Sequence, residues 1–121
     1  MAKRILVCDD EPHILESLSF VVRKAGFELL TATDGEAALK IAKEQGPDLI
    51  LLDVMLPKLT GYEVCELLKK DTETMDIYIV MLTAKGQRMD EQQGMEAGAN
   101  EYIKKPFSPR DLKDRLREIL G

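Results

Sequence analysis

The sequence predicts an α/β fold, a single-domain (βα)5 chain with a doubly wound, parallel five-stranded sheet, for which 2-1-3-4-5 is the common strand order. Two observations carry this reading. Three short apolar runs, Ile5-Leu6-Val7-Cys8, Leu49-Ile50-Leu51-Leu52 and Ile77-Tyr78-Ile79-Val80-Met81-Leu82, lack period-two alternation, as strands covered on both faces do. Between and after them, apolar residues recur at helical spacing. Strands alternating with helices imply parallel pairing through right-handed crossovers, with helices on both faces of the sheet.

The elements follow in order. After the first strand, residues 5–8, a helix opens at Pro12 with an apolar stripe of Ile14, Leu15, Leu18, Val21 and Val22, and Gly26 lies past its end where a C-terminal cap belongs. Residues 28–32 make a second, weaker strand. Asp34 is the N-cap of a second helix marked by Ala37, Ala38, Ile41 and Ala42 and closed by Gly46. The third strand is 49–52, followed by a weaker helix at 61–69, the fourth strand at 77–82, a weaker fourth helix at 89–97 and a fifth strand at 101–104. Ser108 caps the last helix, Pro109 takes its first position, and Leu112, Leu116, Ile119 and Leu120 form its stripe. No linker or low-complexity tract interrupts this rhythm, so one domain is expected to fill residues 1–121.

Composition narrows the function classes. The 121 residues include 22 acidic and 17 basic side chains, a formal charge of −5. Phosphate-backbone affinity needs clustered Lys and Arg, and no dense basic block is present, which argues against direct nucleic-acid binding. No charged-then-apolar leader appears and the longest apolar run, residues 77–82, is far too short to span a membrane. A cytoplasmic location without a membrane partner is expected. Cys8 and Cys65 sit in apolar patterns without CxxC spacing, which points to buried thiols rather than a disulfide or zinc site.

In an open parallel sheet the ligand crevice lies beyond the carboxyl ends of the strands. There the chain places Asp9, Asp10 and Glu11 after the first strand, Asp53 after the third, Thr83 after the fourth, and Lys105 with Pro106 after the fifth. If the first and third strands are neighbours, Asp9, Asp10 and Asp53 converge. Crowded carboxylates must take up a proton or hold a cation, and magnesium suits a site of a few carboxylates, waters and phosphate oxygens. A carboxylate can itself attack phosphorus when metal, ammonium and hydroxyl donors offset the charge on the phosphoryl oxygens. Asp53, a metal, Lys105 and Thr83 make that set. Each residue alone has a plainer role: Asp10 or Glu11 as a cap ahead of Pro12, Asp53 as a turn opener, Thr83 as a cap, Lys105 as a solvated lysine. Their coincidence at four of five strand ends favours one phosphoryl-transfer site, while Thr33-Asp34 at the remaining end reads as an ordinary cap.

With these residues the chain resembles the receiver domains of bacterial two-component response regulators, and is similar in form to the chemotaxis response regulator, over its whole length. The resemblance rests on Asp9-Asp10, Asp53 followed by Val54-Met55-Leu56-Pro57 and later Gly61, Thr83-Ala84, and Lys105-Pro106. It implies a flavodoxin-like fold and a phosphorylation-activated signalling switch that is a phosphoacceptor rather than a turnover enzyme. Asp53 would accept a phosphoryl group from a phosphohistidine on a sensor histidine kinase or phosphotransfer protein. Asp10, Asp53 and the backbone carbonyl of Met55 would bind Mg2+, or Mn2+ in its place, with Asp9 supporting the metal through water. Lys105 would pair with the phosphoryl group and Thr83 would donate its hydroxyl. Tyr102 matches an aromatic that moves as Thr83 shifts, although an aromatic half-packed at a sheet edge explains the same position. Lys105-Pro106 matches a cis peptide bond. The fourth helix, fifth strand and fifth helix would form the output face, controlling a downstream effector or self-association.

Departures from the family pattern are few: Leu56 stands where many relatives have Met, and Thr60 where many have Asp, though Thr60 can still cap the third helix. Met55 is expected to shield the acyl phosphate from hydrolytic water. Lys85 reads as a solvated loop lysine and His13, the single histidine, as a solvent-facing residue. Met75, Met81, Met89 and Met95 read as packing residues, the last two also as contributors to a partner surface. A phosphohydrolase with an aspartyl nucleophile would carry a second Asp two residues on, where this chain has Met55. A nucleotide-binding protein lacks support because neither a GxxxxGK[ST] loop nor a GxGxxG turn follows the first strand. An unphosphorylated receiver-like interaction scaffold is the remaining alternative.

Overall fold

Five parallel strands form one sheet in the order β2-β1-β3-β4-β5, the common five-stranded order in which the first and third strands are neighbours. The computed structural model describes residues 2–84 and 95–121. Its strands are β1 (Arg4–Cys8), β2 (Glu28–Ala32), β3 (Leu49–Asp53), β4 (Tyr78–Ala84) and β5 (Glu101–Lys105). The helices are α1 (Pro12–Lys24), α2 (Gly35–Gln45), α3 (Gly61–Lys70) and a C-terminal helix, Pro109–Leu120. Of the expected fourth helix, residues 89–94 lie outside the described residues, as do Lys85 and Met89; residues 95 and 96 are helical.

The absence of alternation in the apolar runs has its cause in two-sided burial. Leu6, Cys8, Ile50, Leu52, Ile79 and Met81 pack with residues of α2 and α3, among them Ala38, Val64 and Leu68. Their neighbours Ile5, Val7, Leu49, Leu51, Val80 and Leu82 pack on the other face with Leu18 and Val22 of α1 and with Leu112 and Leu116 of the C-terminal helix. Successive side chains point to opposite faces, and both faces are dry. The edge strand β2 is only partly covered, with Glu28 and Thr31 exposed, which is why its run is the more polar one.

Helix ends follow the predicted chemistry. Asp34 Oδ1 accepts the Ala37 N–H at 2.8 Å, Ser108 Oγ accepts the Asp111 N–H at 3.3 Å, and Gly46 closes α2 in the left-handed conformation, φ 54°. Thr60 Oγ1 accepts the Glu63 N–H while the Glu63 carboxylate accepts the Thr60 N–H, at 3.2 and 3.1 Å, a reciprocal cap on α3. Thr60→Ala is expected to cost about 1 kcal/mol, read as a lower urea midpoint at unchanged slope.

Three strands end later than their apolar runs, β3 by one residue at Asp53. β4 continues through Thr83 to Ala84 and β5 reaches Lys105, because the ladder pairs Thr83 with Lys104 and Ala84 with Lys105. Met81 is buried, but Met75, expected to pack, is 46% exposed, since it lies in the turn after α3 rather than on a covered face. His13 is exposed. Both cysteines are free and buried; burial pushes the Cys65 thiol up to about 11, keeping it protonated. No helix among the described residues is long and apolar enough to cross a membrane.

Candidate functional site

The sheet order places the ends of β1 and β3 side by side, and with them the acidic residues. Oxygens of Asp9, Asp10 and Asp53 all lie within 4.8 Å of one another. Asp9 and Asp53 are buried and Asp10 is exposed. Asp9 sits one residue past β1, its N–H donating to the Ala32 carbonyl at 3.2 Å, so pairing with β2 carries one step beyond the strand. Its Oδ1 accepts the Glu11 N–H at 2.9 Å; the Glu11 side chain itself makes no capping bond to α1.

Asp53 ends β3. Its Oδ1 accepts the Met55 N–H at 3.1 Å, and its Oδ2 lies 3.2 Å from Lys105 Nζ. That ammonium also stands 3.3 Å from Asp9 Oδ2, so Lys105, delivered by the last strand, bridges the two buried carboxylates. The Lys105–Pro106 peptide is cis. Strand alternation puts Asp53 on the face of Leu51 and Lys105 on that of Ile103, the face covered by α1 and the C-terminal helix. Thr83 and Tyr102 fall on the opposite face with Met81, which pairs with Tyr102 across β4 and β5. Tyr102 is half-buried there.

Charge decides what this site can hold. Burial raises the Asp53 carboxyl pKa; the Met55 N–H opposes the rise, Asp9 adds to it and Lys105 opposes it, with a net upward direction. For Lys105, burial acts to lower the pKa, but the Asp53 and Asp9 carboxylates outweigh it and the ammonium is held charged. Three carboxylates face one ammonium, an excess of negative charge that a divalent cation with oxygen ligands offsets. Thr83 Oγ1, near the end of β4, is buried and has no hydrogen-bond partner among the described residues, where buried hydroxyls ordinarily have one. The site thus joins a metal-compatible set of three carboxylates with one ammonium.

The structure brings together Asp9, Asp10, Asp53 and Lys105 as the strand-end reading expects. Two features were not visible in the sequence. Gly61 reads there as a helix start, yet a Cβ on it would stand 2.3 Å from the Asp53 carbonyl oxygen, so the glycine lets α3 begin directly against the Asp53 backbone. On β5 and the C-terminal helix, Arg115 pairs with Glu101 and, at 3.0 Å, with Glu118, and Tyr78 Oη donates to Glu101 at 3.0 Å. Charged residues at helical spacing read only as a solvated face until the strand beside them is known.

Comparison with known proteins agrees with this geometry. The response regulator receiver domain family matches residues 5–117. The chain is 48% identical over 120 residues to the alkaline phosphatase synthesis transcriptional regulatory protein PhoP of Bacillus subtilis, covering 99% of this chain and 49% of that protein. The chain spans about half the length of the curated relatives it matches. Among solved structures it is similar to a putative response regulator from Chloroflexus aurantiacus, with a TM-score of 0.94 and 38% identity over 99% of this chain and 98% of that one. The receiver domain of sensor histidine kinase PA1611 from Pseudomonas aeruginosa, which has a magnesium ion coordinated in its active site cleft, gives a TM-score of 0.89 and 29% identity over 98% and 97% of the two chains. A family match from the first strand to the last helix, on a fold whose acidic residues meet at the sheet's carboxyl edge, leaves one assignment: the chain belongs to the response regulator receiver domain family, whose members are phosphorylation-activated signalling switches.

Proposed function

We propose that this chain is a magnesium-dependent phosphoacceptor in which Asp53 takes a phosphoryl group from a phosphohistidine on a sensor histidine kinase or phosphotransfer protein. The observation that carries the reading is the meeting of Asp9, Asp10 and Asp53 within 4.8 Å, with Lys105 on two of them. A carboxylate oxygen of Asp53 attacks phosphorus, the phosphorus–nitrogen bond of the donor breaks, and its electron pair stays with the imidazole, leaving an acyl phosphate. Asp10, Asp53 and the Met55 carbonyl would hold Mg2+, or Mn2+, with Asp9 in support, and the ion would supply positive charge against phosphoryl oxygens. Lys105 stays against the phosphoryl group and the Thr83 hydroxyl donates to one of its oxygens. The domain occupies residues 1–121, acts as acceptor rather than turnover enzyme, and works in the cytoplasm, where phosphohistidine donors act and buried thiols stay reduced.

Phosphorylation then works by differential contact. Phosphoryl oxygens reward the arrangement in which Thr83 and Lys105 both reach them, and that arrangement gains weight. Thr83 shares its sheet face with Tyr102, so the change reaches the surface formed by the expected fourth helix, β5 and the C-terminal helix. That surface controls a downstream effector or a second copy of the chain, and this domain itself does not contact nucleic acid.

Intact-mass analysis after acetyl phosphate and magnesium tests the reading. Wild type is expected to gain one phosphoryl group, and to gain none in EDTA; absence of labelling with magnesium present would leave an interaction scaffold. Met55, two residues past Asp53 and 75% exposed, is assigned the shielding of the acyl phosphate from water. Met55→Asn is expected to speed loss of the phosphoryl group several-fold, and an unchanged dephosphorylation rate would sink the shielding role.

A further inference from the structure

The loop between Asp53 and α3 carries Met55, and its far half rests on a different part of the chain, the first turn of α2. Gly35 donates its N–H to the Pro57 carbonyl at 3.1 Å. A Cβ on Gly35 would stand 2.3 Å from the Leu59 carbonyl oxygen and 2.5 Å from Leu59 Cβ, distances no side-chain carbon tolerates. Between those two contacts lies Lys58, in the left-handed region at φ 69°, with its ammonium 3.8 Å from both Asp34 Oδ2 and Glu36 Oε2. Leu59 packs partly buried on the α2–α3 face of the core.

Gly35 is the first residue of α2, and helical positions prefer Ala to Gly by backbone entropy alone. Its presence there answers to space rather than conformation. The space it leaves is filled by the backbone of the loop that ends at Gly61, where the second close glycine contact, to Asp53 and Val54, pins the other end. The segment 54–60 is therefore held at both ends by backbone contacts that only glycine permits.

We infer that Gly35 is a positioning residue for magnesium: the first turn of α2 sets where the Pro57–Leu59 backbone lies, and through it where the Met55 carbonyl points. This rests on the proposed function, in which that carbonyl is a ligand. A displaced support shifts the ligand without touching any carboxylate, and outer supports of this kind are worth about tenfold or more in metal affinity.

Magnesium titration by calorimetry on the full chain, at a temperature where each variant is fully folded, tests it. Gly35→Ala is expected to raise the magnesium Kd about tenfold. Gly46→Ala, at the other end of the same helix, adds a Cβ that meets nothing within 4 Å while straining a residue at φ 54°; it destabilises the helix but is expected to keep the wild-type Kd. If Gly35→Ala does not fold, Leu59→Ala, which withdraws packing from the same loop without adding volume, is expected to weaken magnesium in the same direction. An unchanged Kd in the folded Gly35 or Leu59 variant, or an equal loss in Gly46→Ala, overturns the positioning role. Failure of the wild type to bind magnesium overturns the site itself and this inference with it, so the two failures are told apart by the wild-type titration alone.

Discussion

Asp53→Asn is expected to lose phosphoryl labelling to background, a fall on the order of 1000-fold or more, because the neutral amide is a poor nucleophile toward phosphorus. The substitution keeps the side chain's shape, so the loss is chemical rather than structural. Stability should move the opposite way. The Asp53 carboxyl pKa is raised in the folded chain, so above the unfolded carboxylate's pKa the ionised form costs stability, and that cost appears as pH rises through the window between the two values. Removing the charge removes the cost, and Asp53→Asn in EDTA at neutral pH is expected to melt above wild type. Magnesium should reverse the order. Binding only to the folded chain stabilises it by about 2.7 kcal/mol at 100 times Kd, a gain the variant loses in large part. Thermal melts of both proteins with EDTA and with magnesium check this; an equal magnesium-dependent rise in the two would show that Asp53 is not a ligand.

Gly61→Ala is expected to cost about 3 kcal/mol and to slow labelling of whatever remains folded. The new Cβ would meet the Asp53 carbonyl oxygen at 2.3 Å and Val54 Cα at 2.8 Å, both backbone atoms that cannot swing aside. The Gly61 N–H also donates to the Val54 carbonyl at 3.0 Å, so relief requires α3 to leave β3 or the Asp53 peptide to turn. Either displaces Asp53. Urea denaturation measures the first effect and the rate of acetyl phosphate labelling the second. A variant that loses less than about 1 kcal/mol and labels at the wild-type rate would mean that the loop yields freely, against the close packing seen here.

The sequence was most legible where one residue's chemistry suffices. β2 begins and ends as expected at Glu28 and Ala32, and Asp34, Thr60 and Ser108 cap helices with their own side chains, because a cap is a contact between near neighbours. Strand ends were less legible. β4 and β5 extend to Ala84 and Lys105 through pairing with each other, and a ladder bond depends on the partner strand rather than on local composition. Met75 misled for the same reason, since hydrophobicity alone does not say which face is covered.

By itself the sequence determined the alternation of buried strands with amphipathic helices and the polar residues at the strand ends, since both follow from periodicity and residue type. Only the tertiary structure decided that Lys105 reaches Asp9 and Asp53 together, that Thr83 is left buried without a partner among the described residues, and that Gly35 and Gly61 open room for the backbone of residues 53–59. Those are distances between segments far apart in the chain. They are fixed by sheet order and close packing, which no local pattern of residues specifies.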